Sequence, residues 1–202
     1  MILILDYGMS NLRSVSKALE KLGAGVEISN KPGDVEKAEK LVLPGVGAFG
    51  DAMEELQTRK LASPLKKFVA SGKPFLGICL GLQLLFDQSE ETPGVTGLGI
   101  VPGKVVKFRS SENHKVPHMG WNQLRFRDEK CPFVRGIKNG SFVYFVHSYF
   151  VQPERPEIVL AECEYNAIFA AMIWDRNIFG CQFHPEKSQD AGMKMLENFI
   201  GL

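Results

Sequence analysis

The residue pattern with the most chemistry in this chain is Gly77-Ile78-Cys79-Leu80-Gly81, a cysteine between two glycines at the end of an apolar run. It has the form of a nucleophile elbow, with cysteine where Gly-x-Ser-x-Gly carries serine. Such a turn exposes the nucleophile on strained backbone, and the flanking glycines let neighbouring main chain pass without a Cβ clash. A helix N-terminus beyond the turn favours a thiolate and a developing oxyanion. A free cysteine is also commonly a small buried apolar residue, so the pentapeptide alone leaves both roles open. Cys131, Cys163 and Cys181 lack the strand-turn-helix setting and read as structural.

A thiol needs a base, and the base needs an orienting group. His184-Pro185-Glu186 follows the apolar stretch 178–183, so it falls at a strand end, where side chains emerge into a cleft. Histidine can take the thiol proton and return one to a leaving amine, while Glu186 can hold the imidazole. Pro44-Gly45-Val46-Gly47 follows the short strand candidate 41–43. Its glycines can bring backbone N–H groups close to a substrate oxygen, as an oxyanion hole requires; an ordinary tight turn is the other reading. His147 ends the run 142–146 and either shapes a pocket or is a satisfied polar residue. His114 and His118 are four apart, but no third ligand accompanies them, and no metal site is expected.

The elements that must position these groups follow from periodicity. Ile2–Leu5 is a continuous apolar run, as in a parallel strand covered on both faces. Leu12, Val15, Leu19 and Leu22 recur at helical spacing, with Gly23 as a stop. Val26–Ser29 and 41–43 are short strands. Ser63-Pro64 resembles a helix start, with Leu65, Phe68 and Val69 as the apolar face and Gly72 as the close. Strand 74–79 precedes the apolar Leu80, Leu82, Leu84, Leu85 and Phe86. These strand-helix-strand units imply a parallel sheet with right-handed crossovers. Strand-like runs at 103–108, 142–146, 158–163, 168–174 and 178–183 suggest additional antiparallel strands. A helix through Met193, Leu196 and Ile200 closes the chain. No repeat or linker divides it, so one α/β domain over 1–202 is expected: a central, mostly parallel sheet flanked by helices.

Composition limits the function classes. Lys plus Arg is 24 against 23 for Asp plus Glu, which disfavours nucleic acid or an anionic membrane as the main partner. The N-terminus lacks a basic flank and a cleavage site, and no apolar run spans a bilayer. Four cysteines without a Cys-x-x-Cys pair suggest neither a disulfide framework nor structural zinc, which fits a reducing cytoplasm.

Taken together, Pro44-Gly45-Val46-Gly47, Gly77-Ile78-Cys79-Leu80-Gly81-Leu82-Gln83 and His184-Pro185-Glu186 resemble the triad-type (class I) glutamine amidotransferases. Four further segments are similar to the glutaminase subunits of imidazole glycerol phosphate synthases: residues 6–14, Pro117-His118-Met119-Gly120-Trp121-Asn122, residues 145–149 and residues 184–188. The resemblance runs the length of the chain and implies a flavodoxin-like three-layer fold. It implies Cys79 as nucleophile, His184 as acid and base, and Glu186 as third member of the triad. The Leu80 N–H and one from Gly45, Val46 or Gly47 would form the oxyanion hole. Gln83 and Glu91 would hold glutamine, and the backbone at Ser148 and Tyr149 would receive its α-carboxylate. It implies no cofactor. The expected partner is a (βα)8-barrel cyclase subunit, in a heterodimer, that uses the ammonia to make imidazole glycerol phosphate and an aminoimidazole carboxamide ribonucleotide. Asn11, Arg13, Pro117, His118, Met119, Trp121, Asn122 and Lys187 are candidates for the docking surface. Two alternatives stand beside this reading: a glutaminase of anthranilate, aminodeoxychorismate or pyridoxal phosphate synthesis, and a cysteine peptidase or chaperone-like α/β protein sharing the elbow.

Overall fold

A computed structural model of the chain describes residues 1–111 and 115–202; His114, half of the spaced histidine pair, lies outside them. β1 (Ile2–Leu5) is buried at every position. α1 (Leu12–Lys21) follows Asn11 and buries Val15, Ala18 and Leu19, at the spacing the sequence shows. Next come β2 (Val26–Ser29), α2 (Pro32–Lys37), β3 (Lys40–Gly45), α3 (Phe49–Thr58) and α4 (Ala62–Ala70). α4 starts at Ala62, so Ser63-Pro64 lies inside its first turn rather than at its boundary. Proline is tolerated there because the first-turn N–H groups have no intrahelical acceptor. α3 falls outside the expected elements, although Phe49, Ala52, Met53 and Leu56 recur at helical spacing and are all buried.

β4 (Phe75–Cys79) runs directly into α5 (Leu80–Gln83), a single turn rather than the longer helix the apolar residues to Phe86 suggest. Its last hydrogen bonds tighten from Leu84 N–H to Leu80 to the three-residue step from Phe86 N–H to Gln83. The second half contributes β5 (Gln88–Ser89), β6 (Gly103–Lys107), β7 (His118–Gln123), β8 (Arg125–Phe126), β9 (Phe142–His147) and β10 (Tyr149–Pro153). β11 (Val159–Glu164), β12 (Ile168–Asp175), β13 (Ile178–Cys181) and α6 (Gln189–Ile200) complete it.

The main sheet has the order β2-β1-β3-β4-β13-β12-β10-β6-β5, with β11 and β8 branching from β12. It is parallel from β2 to β13 and antiparallel from β13 to β6. The parallel register sets Gly45 beside Cys79 and Cys181 beside Ile78, so the three chemistry-bearing segments leave adjacent strands at one end. Ligands bind in α/β sheets at such strand ends. Alternation along β1 sends Ile2 and Ile4 into a core with α1 and α6, and Leu3 and Leu5 into a second core with α2, α3 and α4. The sheet is therefore the middle of three layers. β7 and β9 form a separate antiparallel ribbon, with His118 opposite His147 and Trp121 opposite Tyr144. No helix among the described residues is long and apolar enough to cross a membrane.

Candidate active site

Cys79 is buried and adopts φ 54° and ψ −110°, a conformation L-residues rarely take. The local sequence makes it attainable. A Cβ on Gly81 would overlap the Leu43 carbonyl of β3, and one on Gly45 would overlap the Tyr7 hydroxyl. α5 thus packs against β3 at a distance only glycine permits, and the turn at Cys79 is held between them. Leu80 opens α5, which leaves its N–H outside the helical ladder and beside the thiol.

The turn Pro185–Lys187 that follows β13 has the second group, His184, at its N-cap. His184 Nδ1 and Glu186 Oε1 are 2.8 Å apart, and both side chains are buried. The second nitrogen, Nε2, is buried without a hydrogen-bond partner among the described residues, as is Glu186 Oε2. Burial works against the imidazolium, but the Cys79 thiolate and the Glu186 carboxylate outweigh it and raise the His184 pKa to about 10. A histidine held in this way is charged at neutral pH, which suits a thiolate neighbour. Burial pushes the thiols of Cys131 and Cys163 up to about 11 and about 12. Cys181 is raised by burial as well. All four cysteines are free.

Cys79 and His184 open into a cleft of about 350 Å³, lined also by Val46, Gly47, Leu80, Gln83, Glu91, Pro117, Val146, His147, Ser148 and Tyr149. Gln83 Nε2 donates to the Tyr149 carbonyl (3.0 Å) and to Gln182 Oε1 (3.1 Å). Glu91 lines the cleft with one oxygen engaged: Oε2 accepts from the Phe49 N–H (2.8 Å) at the start of α3. The proposed oxyanion segment is oriented away from the task in one respect. The Val46 N–H donates to the Met9 carbonyl at 2.9 Å rather than into the cleft.

Of the docking candidates, Asn11, Arg13, Pro117, Met119, Trp121 and Lys187 are exposed. Met119 (62% exposed) and Trp121 (45%) share the outer face of the β7–β9 ribbon with Phe142 and Tyr144. Asn122 is half-buried. His118 departs from expectation: strand alternation turns it to the inner face, where it is buried and stacks between Phe145 and Tyr165. Two groups escaped the sequence reading. Gln182, fully buried, reaches Cys79 Sγ with Nε2 at 3.7 Å. Tyr7, whose ionisation burial and the Cys79 charge both oppose, has its hydroxyl buried without a hydrogen-bond partner among the described residues. A lone glutamine after an apolar strand and a tyrosine after another give no spacing signal; only the fold brings them to the thiol.

The model of the family described as glutamine amidotransferase class-I matches residues 3–202. The chain is similar to the imidazole glycerol phosphate synthase subunit HisH of Syntrophotalea carbinolica, at 50% identity over 98% of each chain. It is 52% identical to the HisH subunit of Aquifex aeolicus, over 97% of this chain and 94% of that one. The solved PurLQS from Thermotoga maritima shares the fold, with a TM-score of 0.74 at 21% identity, over 99% of this chain and 97% of that one. The chain therefore belongs to the class I glutamine amidotransferases and, within them, to the HisH subunits of imidazole glycerol phosphate synthase.

Proposed function

We propose that this chain, acting as one domain over residues 1–202, hydrolyses glutamine to glutamate and ammonia, and that a separate (βα)8-barrel cyclase consumes the ammonia in histidine biosynthesis. The observation that carries the first part is the strained Cys79 sharing a small cleft with a buried, carboxylate-held His184. The Cys79 thiolate attacks the side-chain amide carbon, and the Leu80 N–H stabilises the oxyanion. His184 gives its proton to the departing nitrogen, the C–N bond breaks, and a thioester remains. Water, deprotonated by His184, adds to the thioester and releases glutamate and the thiolate. Glu186 holds the imidazole throughout. Gln83, the free oxygen of Glu91 and the backbone at Ser148 and Tyr149 bind the substrate. Neither step calls for a cofactor, and the work is done in the cytoplasm.

The partner is supported by the apolar outer face of the β7–β9 ribbon, which reaches the cleft through Val146 and is not buried by this chain. Asn11, Arg13 and Lys187 add polar groups for the contact. The engaged Val46 N–H implies that the isolated chain is a poor glutaminase and that docking frees a second oxyanion donor. One assay tests this reading. Glutamine turnover is measured with and without the cyclase and its nucleotide substrate. Glutamine is expected to support synthesis only in the complex, and Cys79→Ser to abolish it while free ammonia still supports it. Full glutaminase activity without the partner, or equal loss of both ammonia sources in the variant, would overturn it.

A further inference from the structure

On the inner face of the β7–β9 ribbon, His118 Nδ1 lies 2.9 Å from His147 Nε2, and His147 Nδ1 lies 2.8 Å from the Tyr149 carbonyl oxygen. Both rings are buried. A carbonyl only accepts, so His147 must carry its proton on Nδ1. Burial keeps this imidazole neutral, with its pKa pressed down to about 3, so Nε2 is an acceptor and His118 Nδ1 must donate to it. The polarity of the pair is fixed by its last member.

The same Tyr149 carbonyl accepts from Gln83, which also donates to Gln182; Gln182 in turn donates to Cys79 Sγ. At the other end, Asn122 Nδ2 is 3.4 Å from His118 Nε2. A continuous hydrogen-bonded path thus joins β7, whose outer face carries Met119 and Trp121, to the thiol. Two imidazoles inside a cluster of Phe108, Phe145 and Phe169 are costly unless their polar atoms are used. Packing alone would be served by phenylalanine.

We propose that His118 and His147 are positioning residues: together they lock the Tyr149 carbonyl, and with it Gln83 and the backbone that receives glutamine, in register with the docking strand β7. The path runs through a carbonyl oxygen that accepts from both His147 and Gln83 and so cannot pass a proton on, and its role is to hold geometry. The proposal rests on the glutamine-binding reading of the cleft. His118 does not line that cleft, so changing it leaves the substrate contacts themselves in place.

The test uses the full chain in complex with the barrel cyclase. His118→Phe preserves the stacking and removes the donor; His118→Asn restores an N–H near the Nδ1 position. The phenylalanine variant is expected to raise the KM for glutamine about fivefold or more, as loss of one neutral hydrogen bond implies, with kcat changed by less than about twofold. The asparagine variant should recover most of the loss. In the wild-type chain, two-bond 1H–15N correlations of the imidazoles should show His147 as the Nδ1–H tautomer, and this holds even where a variant fails to fold. An unchanged KM in His118→Phe, no recovery in His118→Asn, or an Nε2–H tautomer at His147 would overturn the proposal. Failure of the glutamine reading itself would show differently, as absence of glutamine-dependent turnover in the wild-type complex.

Discussion

A cysteine at φ 54° and ψ −110° costs about 1–3 kcal/mol relative to an ordinary turn, and such strain persists only where the surroundings over-determine it. Here the surroundings are Gly81 against β3 on one side and the β4–β13 pairing on the other. The return is an oriented thiol beside a histidine that keeps its proton. Because the folded-state pKa of His184 is raised from 6.5 to about 10, folding favours the imidazolium. The linked stabilisation is complete below about pH 6.5 and is lost as pH rises through about 10. In an NMR titration, His184 should therefore stay protonated past neutrality. In Cys79→Ala its pKa should fall, because burial then opposes only Glu186. An unmoved titration in that variant would show that the thiol does not hold the proton.

At the scale of elements, the contact between α5 and β3 matters most. Gly81→Ala places a methyl group inside the Leu43 carbonyl, a backbone atom that cannot swing away. Thermal unfolding should show a loss of more than about 2 kcal/mol, in the overpacking range; a loss of a few tenths would mean that α5 can retreat. This packing was legible in the sequence because a nucleophile elbow leaves glycines as its mark. The parallel strands, α1 and α6 were legible too, since apolar runs and helical spacing record burial directly. β7 was not, for a physical reason. Its alternation is present but inverted: His118, Gly120 and Asn122 point inward, while Met119 and Trp121 point outward. A pattern rule that sends apolar residues to the core misassigns such a strand, and the resemblance, which named residues 117–122 as a segment, could not separate the buried His118 from its exposed neighbours. Gln182 was hidden for the opposite reason, as one polar residue closing an apolar strand, where only three-dimensional neighbours reveal its use.

For the whole molecule, the outer face of the β7–β9 ribbon is an exposed apolar surface continuous with the rim of the cleft. Aromatic anchors dominate protein interfaces. Trp121→Ala should therefore weaken binding to the cyclase by about 2 kcal/mol, roughly thirtyfold in Kd. Calorimetric titration measures the affinity, and an unchanged melting temperature of the free chain separates docking from folding. An unaltered affinity would move the interface elsewhere.

β13, late in the chain, does not extend an edge; it lies between β4 and β12 and joins the parallel half to the antiparallel half. A nascent chain still lacking it has two half-sheets with no seam and a cysteine with no base. Sheet closure and delivery of His184 to the thiol thereby depend on the same strand, and a truncation before Ile178 leaves no partially active fragment behind.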